Sequence, residues 1–164
     1  MHIEQTHRGL TIDVASEAET EQVGRALAVV VAPGTVIGLV GPLGAGKTRL
    51  VRALAEALGV DPGAIASPTF VLLHEYEGRL PVVHGDAYRL KSGDEFDALG
   101  LDESYGESVC LLEWADRVAD RLPAGTWFLT FEPLGACERR LTLELPAPSL
   151  AARVEQLLEG DGGV

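Results

Sequence analysis

Apolar and polar positions along the chain divide it into alternating strand and helix segments. Leu10, Ile12 and Val14 alternate with polar residues and predict a strand with one buried face. Ser16 and Glu19 form a capping box that opens a helix with Val23, Ala26, Leu27 and Val30 on one side. Pro33-Gly34 ends that helix, and Thr35 to Val40 is a continuous apolar run, the pattern of a buried strand. Leu50, Val51, Leu54, Ala55 and Leu58 then repeat with helical spacing until Gly59.

Farther along, Phe70 to Tyr76 and Leu80 to Val83 flank Glu77-Gly78-Arg79, which predicts an antiparallel hairpin. A second capping box, Ser92 with Glu95, opens a short helix through about Leu99, and Gly100 to Gly106 reads as irregular and acidic. Val109 to Leu112 is another buried-strand run, ending on Glu113-Trp114, and a short helix follows before Pro123. Trp127 to Phe131 and Arg139 to Leu145 form a second hairpin around Pro133 to Glu138. A last helix spans Leu150 to Glu159. Residues 1–159 read as one domain and 160–164 as a fraying tail, with no repeat, linker or second domain.

Between the apolar strand ending at Val40 and the helix carrying Leu50 lies Gly41-Pro42-Leu43-Gly44-Ala45-Gly46-Lys47-Thr48, of the form G-x-x-x-x-G-K-T. Nucleotide phosphates concentrate negative charge in a small volume. Glycines let the backbone curl so that successive N–H groups point inward, and the helix start adds its own unpaired N–H groups and positive dipole end. Gly41, Leu43, Gly44, Ala45, Gly46, Lys47, Thr48 and Arg49 are therefore the candidate phosphate cradle. Lys47 is expected to be exposed there, free to reach the β- and γ-phosphate oxygens, and Thr48 to place its hydroxyl on Mg²⁺. Strand, glycine loop and helix is the context that this motif requires.

Composition narrows the partners. The net charge of −12 argues against broad electrostatic contact with nucleic acid or an anionic membrane. Cys110 and Cys137 have no metal-binding spacing, and Cys110 sits in a core-like strand. Residues 1–10 contain no apolar stretch of a secretory signal, and the apolar stretch 26–40 is broken at Pro33-Gly34, short of the ~20 residues that span a bilayer. A cytoplasmic protein is expected.

Mg²⁺ at a P-loop needs a carboxylate, expected where an apolar strand ends at the ligand edge of a parallel sheet. Glu113 and Asp86 both qualify. Glu113, on a continuous buried strand, is expected to share the metal with Thr48. Asp86, beyond Gly85 on a segment expected to move, is expected to orient an attacking water. Thr69, in the loop Ser67-Pro68-Thr69, occupies the place of a γ-phosphate sensor.

Taken in series, GPLGAGKT at 41–48, SPTF at 67–70, HGDAYRL at 84–90 and LLEW at 111–114 resemble the TsaE family, also called YjeE. That family comprises bacterial ATPases of the tRNA threonylcarbamoyladenosine (t6A) modification. The resemblance covers roughly residues 10–145. It implies a P-loop NTPase three-layer α/β sandwich, with a mainly parallel sheet and antiparallel hairpin strands. It implies ATP and ADP as ligands with Mg²⁺. Catalytic residues would be Lys47, Asp86 and Glu113, with Thr69 and Trp114 at the nucleotide and Tyr88-Arg89 in a switch-like segment. It also implies partners of the TsaB and TsaD families, with tRNA reached only through the complex. The family pattern continues E-W-P, whereas Ala115 stands here.

Two other readings compete. A P-loop small-molecule kinase would usually carry an arginine-bearing lid, and the arginines here are scattered. A GTP-gated module would commonly carry N-K-x-D, and the chain contains no Asn.

Overall fold

The computed structural model describes residues 1–65 and 72–160. An eight-stranded sheet runs through it in the order β1-β2-β8-β7-β3-β6-β5-β4. The strands are β1 (His2–Thr6), β2 (Gly9–Val14), β3 (Val36–Val40), β4 (Leu73–Tyr76), β5 (Val82–Asp86), β6 (Val109–Glu113), β7 (Trp127–Pro133) and β8 (Arg139–Glu144). Its centre, β7-β3-β6-β5, is parallel, and the remaining pairings are antiparallel. The expected α/β sandwich is the fold observed.

Alternation along each strand feeds two cores. On one face Ile37, Leu39, Leu111, Leu129, Leu141 and Leu143 pack against α1 (Glu17–Val30), α2 (Lys47–Ala57) and α4 (Pro148–Gly160). On the other, Val36, Cys110 and Leu112 meet Phe96, Leu101 and Val118. That thinner layer is made of α3 (Gly93–Asp97) and two 3-10 segments, Leu101–Ser104 and Ala115–Arg121. Gly38 in β3 permits its close approach, since a Cβ there would lie 2.8 Å from that of Ala115.

Both capping boxes form. Ser16 Oγ accepts from the Glu19 N–H and Ser92 Oγ from the Glu95 N–H, each at 3.2 Å. The glutamates reach back to the N–H groups of Ala15 and Lys91, each at 2.8 Å. Three local expectations change. β1 was not anticipated, because only Ile3 of its five residues is even partly buried. The acidic stretch after Gly100 contains a 3-10 turn. β5 runs on through His84 and Gly85 to Asp86, because pairing with both β4 and β6 holds residues that would favour a turn in isolation.

Candidate functional site

The ends of three parallel strands meet at one edge of the sheet. β3 ends at Val40 and passes into the glycine loop, β6 ends at Glu113 and β5 ends at Asp86. A cavity of about 410 Å³ opens there, lined among others by Lys47, Thr48, Asp86, Glu113, Trp114 and Arg139. The crevice beyond the carboxyl ends of parallel strands is where open α/β sheets bind ligands. Gly46 caps α2 in the left-handed region (φ 104°), which turns the last loop peptide toward the helix axis.

Glu113 is the most constrained group. It is 4% exposed. The Thr48 hydroxyl donates to its carboxyl fork, 2.8 Å from one oxygen and 2.9 Å from the other. Nε2 of the fully buried His84 lies 2.9 Å from Oε1. Nε2–H donates to that carboxyl oxygen, and Nδ1 has no hydrogen-bond partner among the described residues.

Asp86 is opposite Glu113 in the β5–β6 register. Its backbone N–H donates to Leu72 O at 3.1 Å, and its Oδ1 accepts from the Tyr88 N–H at 2.7 Å. Asp86 is thus the strand-end carboxylate expected, closing β5 where the chain turns into Tyr88. Burial pushes its carboxyl above the ordinary value; the Tyr88 bond opposes this and the nearby Glu113 adds to it.

Lys47 corrects a second expectation. It is 4% exposed, not exposed, and its ammonium donates to Gly41 O at 2.7 Å and Pro42 O at 2.8 Å. Nζ also sits 4.3 Å from the centroid of the Trp114 ring, a cation–π contact. Burial pushes the ammonium down from its ordinary value, while Glu113, Asp86 and Asp116 push it back up. Trp114 has the only positive φ (58°) of a non-glycine residue among those described, and Tyr88 packs on it at 4.8 Å. The left-handed turn after Glu113 is what aims the indole back at Lys47.

Of the predicted site residues, Gly44, Gly46, Leu43, Lys47, Thr48, Arg49, Asp86, Glu113 and Trp114 all line the cavity, with Tyr88 and Arg89. Leu43 is 88% exposed at the loop tip. Arg49 turns outward to Glu17 and Glu21 on α1, at 2.8 and 2.9 Å. Gly41 and Ala45 hold the loop behind this surface. Thr69 lies outside the described residues. Sequence reasoning missed Glu17, in the first turn of α1, and Arg139, at the start of β8, which both lie outside the four motifs. Among the described residues no cluster of three or more His, Cys, Asp or Glu side chains suits a metal ion. The oxygen pair Thr48–Glu113 instead suits a hard cation that takes its remaining ligands from phosphate and water.

A family model described as "Threonylcarbamoyl adenosine biosynthesis protein TsaE" matches residues 14–141. The chain is 38% identical over 143 residues to the tRNA threonylcarbamoyladenosine biosynthesis protein TsaE of Bacillus subtilis, covering 86% of each chain. It is 40% identical over 129 residues to the protein of that name from Treponema pallidum, covering 78% of this chain and 95% of that one. A crystal structure of Bacillus subtilis YdiB superposes with a TM-score of 0.70 at 29% identity, covering 98% of this chain and 99% of that one.

Proposed function

The chain belongs to the TsaE family, and from that premise we propose that it is the ATP-binding, ATP-hydrolysing subunit of a t6A-forming system. Its place is in tRNA threonylcarbamoyladenosine biosynthesis. The observation that carries the hydrolytic reading is the direct bond between Thr48 and Glu113 beside the glycine loop. It holds a hydroxyl and a carboxyl, both metal-type oxygen donors, where a P-loop places the β- and γ-phosphates.

Thr48 and Glu113 would hold Mg²⁺, which when bound neutralises charge on the transferring phosphoryl group. The loop N–H groups cradle the phosphates, and Lys47 exchanges two loop carbonyls for phosphate oxygens. Asp86 accepts a hydrogen bond from the attacking water and aligns it on the γ-phosphorus. Its raised carboxyl value makes it a better proton acceptor than an exposed aspartate. His84 keeps Glu113 from rotating. Such sites turn over slowly until a partner completes them, with intrinsic rates of roughly 10⁻⁴ to 10⁻³ s⁻¹ in switch GTPases. Proteins of the TsaB and TsaD families are the proposed activators, and the acidic chain leaves the tRNA contact to them. Among the described residues no helix is long and apolar enough to cross a membrane.

The test is Mg²⁺-dependent release of phosphate from ATP by the pure protein, alone and with those partners. Slow release that the partners accelerate supports the proposal. A phosphorylated small molecule in place of free phosphate would establish a kinase instead.

A further inference from the structure

Arg139, the first residue of β8, is 7% exposed and lines the cavity. Its guanidinium meets only neutral oxygens: Nη2 donates to Cys137 O at 3.2 Å and Nη1 lies 3.5 Å from Thr20 Oγ1. Among the described residues no carboxylate comes within ion-pair distance of it. The adjacent Arg140 shows what a structural arginine of this chain looks like. It grips Asp13 with Nε and Nη2 at 2.7 and 2.8 Å.

The position of Arg139 makes its isolation more costly. A Cβ on Gly46 would lie 2.5 Å from Nη1, so the guanidinium rests against the N-cap of α2. A buried cation is thus held at the positive end of a helix dipole, an arrangement that is unfavourable until an anion joins it.

We infer that Arg139 is a phosphate-binding residue of this site, acting on the phosphates nearest the nucleoside. The inference rests on the ATP-site reading above. The carboxyl groups stand at the ends of β6 and β5, on one side of β3, whereas Arg139 starts β8, on the other side beyond β7. A polyphosphate lying along the loop with its metal-bearing end at Thr48 and Glu113 therefore presents its opposite end to Arg139. Those phosphates persist in ADP. Arg139 thus contributes to affinity for both nucleotides, and the carboxylates act at the γ-phosphate.

Calorimetric titration of ADP and ATP into wild type, Arg139→Gln and Arg140→Gln tests this, with nucleotide-free melting temperatures measured alongside. Arg139→Gln should weaken both nucleotides in parallel, by roughly tenfold to a hundredfold, the scale of a charge-assisted hydrogen bond. Its nucleotide-free melting temperature should be unchanged or higher, because an uncompensated cation is removed. Arg140→Gln should keep wild-type affinity and melt lower. Wild-type ADP affinity in Arg139→Gln overturns the inference, and a loss confined to ATP overturns the placement. Should the glutamine variant misfold, Arg139→Lys keeps the charge without the fork. It should lose ADP affinity to a smaller extent, and no loss there is equally fatal. If wild type binds neither nucleotide while remaining folded, the ATP reading itself fails, which is a separate outcome.

Discussion

Asp86 and Glu113 end adjacent parallel strands and face each other in register, yet they differ in burial and in what holds each carboxyl. Glu113 is almost wholly buried and held by two side chains, one from a helix and one from a strand. Asp86 is half-buried, and its carboxyl takes one backbone N–H from the turn that follows. The difference comes from what each strand runs into. β6 is central, covered on both faces, and its exit is fixed by the left-handed Trp114. β5 has the edge strand β4 as its other neighbour and gives way at once to the exposed Tyr88-Arg89. A well-fixed carboxyl suits a metal that tolerates little distortion of its octahedron, and a less buried one suits a water that must arrive and leave.

Lys47→Ala should erase the distinction by removing the cation that both carboxyls face. Hydrolysis should fall by at least about a hundredfold, with nucleotide affinity falling too. Because Lys47 is buried against Trp114, the variant's melting curve must be recorded alongside. Wild-type turnover in a folded variant would remove the P-loop assignment. Asp86→Asn separates the two carboxyls in kinetics. Turnover should drop by about 10²- to 10⁴-fold while ATP affinity stays near wild type, as measured by single-turnover assay and calorimetry. A matching loss of affinity would count against the water-orienting role.

Stability separates them again, with opposite signs. Glu113→Ala leaves the Thr48 hydroxyl and His84 Nε2 without their acceptor, and should cost about 1–3 kcal/mol in chemical denaturation. No loss would show that these bonds are not maintained in solution. For Asp86 the folded carboxyl value lies above the ordinary 3.8, so ionising it opposes folding. That penalty is absent below about pH 3.8, grows as pH rises from there toward the raised value, and is constant above it. Asp86→Asn keeps the oxygen that accepts from Tyr88 and should raise the melting temperature near neutral pH by about 1–3 °C, with no gain in acid. An equal gain at all pH values would assign the effect to packing instead.

Glu113 was legible in the sequence because four apolar residues lead to it and nothing in them permits another direction. The glycine loop was legible for a related reason: its residues state their own geometry. Asp86 was legible as a strand-end carboxylate, although His84 and Gly85 before it favour a turn until two neighbouring strands claim them. The burial of Lys47 depends on Trp114, brought over it by a backbone angle that the sequence does not announce. Arg139 lies more than ninety residues from the loop it touches and sits beside an arginine of identical local character, so only the tertiary structure tells the pair apart. β1 escaped notice because a sheet edge needs little apolar alternation once β2 supplies its hydrogen bonds.

The division of labour between the two strand ends is tested most directly by titrating Mg²⁺ against ATP hydrolysis in wild type, Glu113→Ala and Asp86→Asn. Glu113→Ala should need much more Mg²⁺ to reach half its maximal rate, whereas Asp86→Asn should keep the wild-type midpoint with a lower plateau. A shifted midpoint in Asp86→Asn beside a wild-type midpoint in Glu113→Ala would contradict the assignment and exchange the two roles.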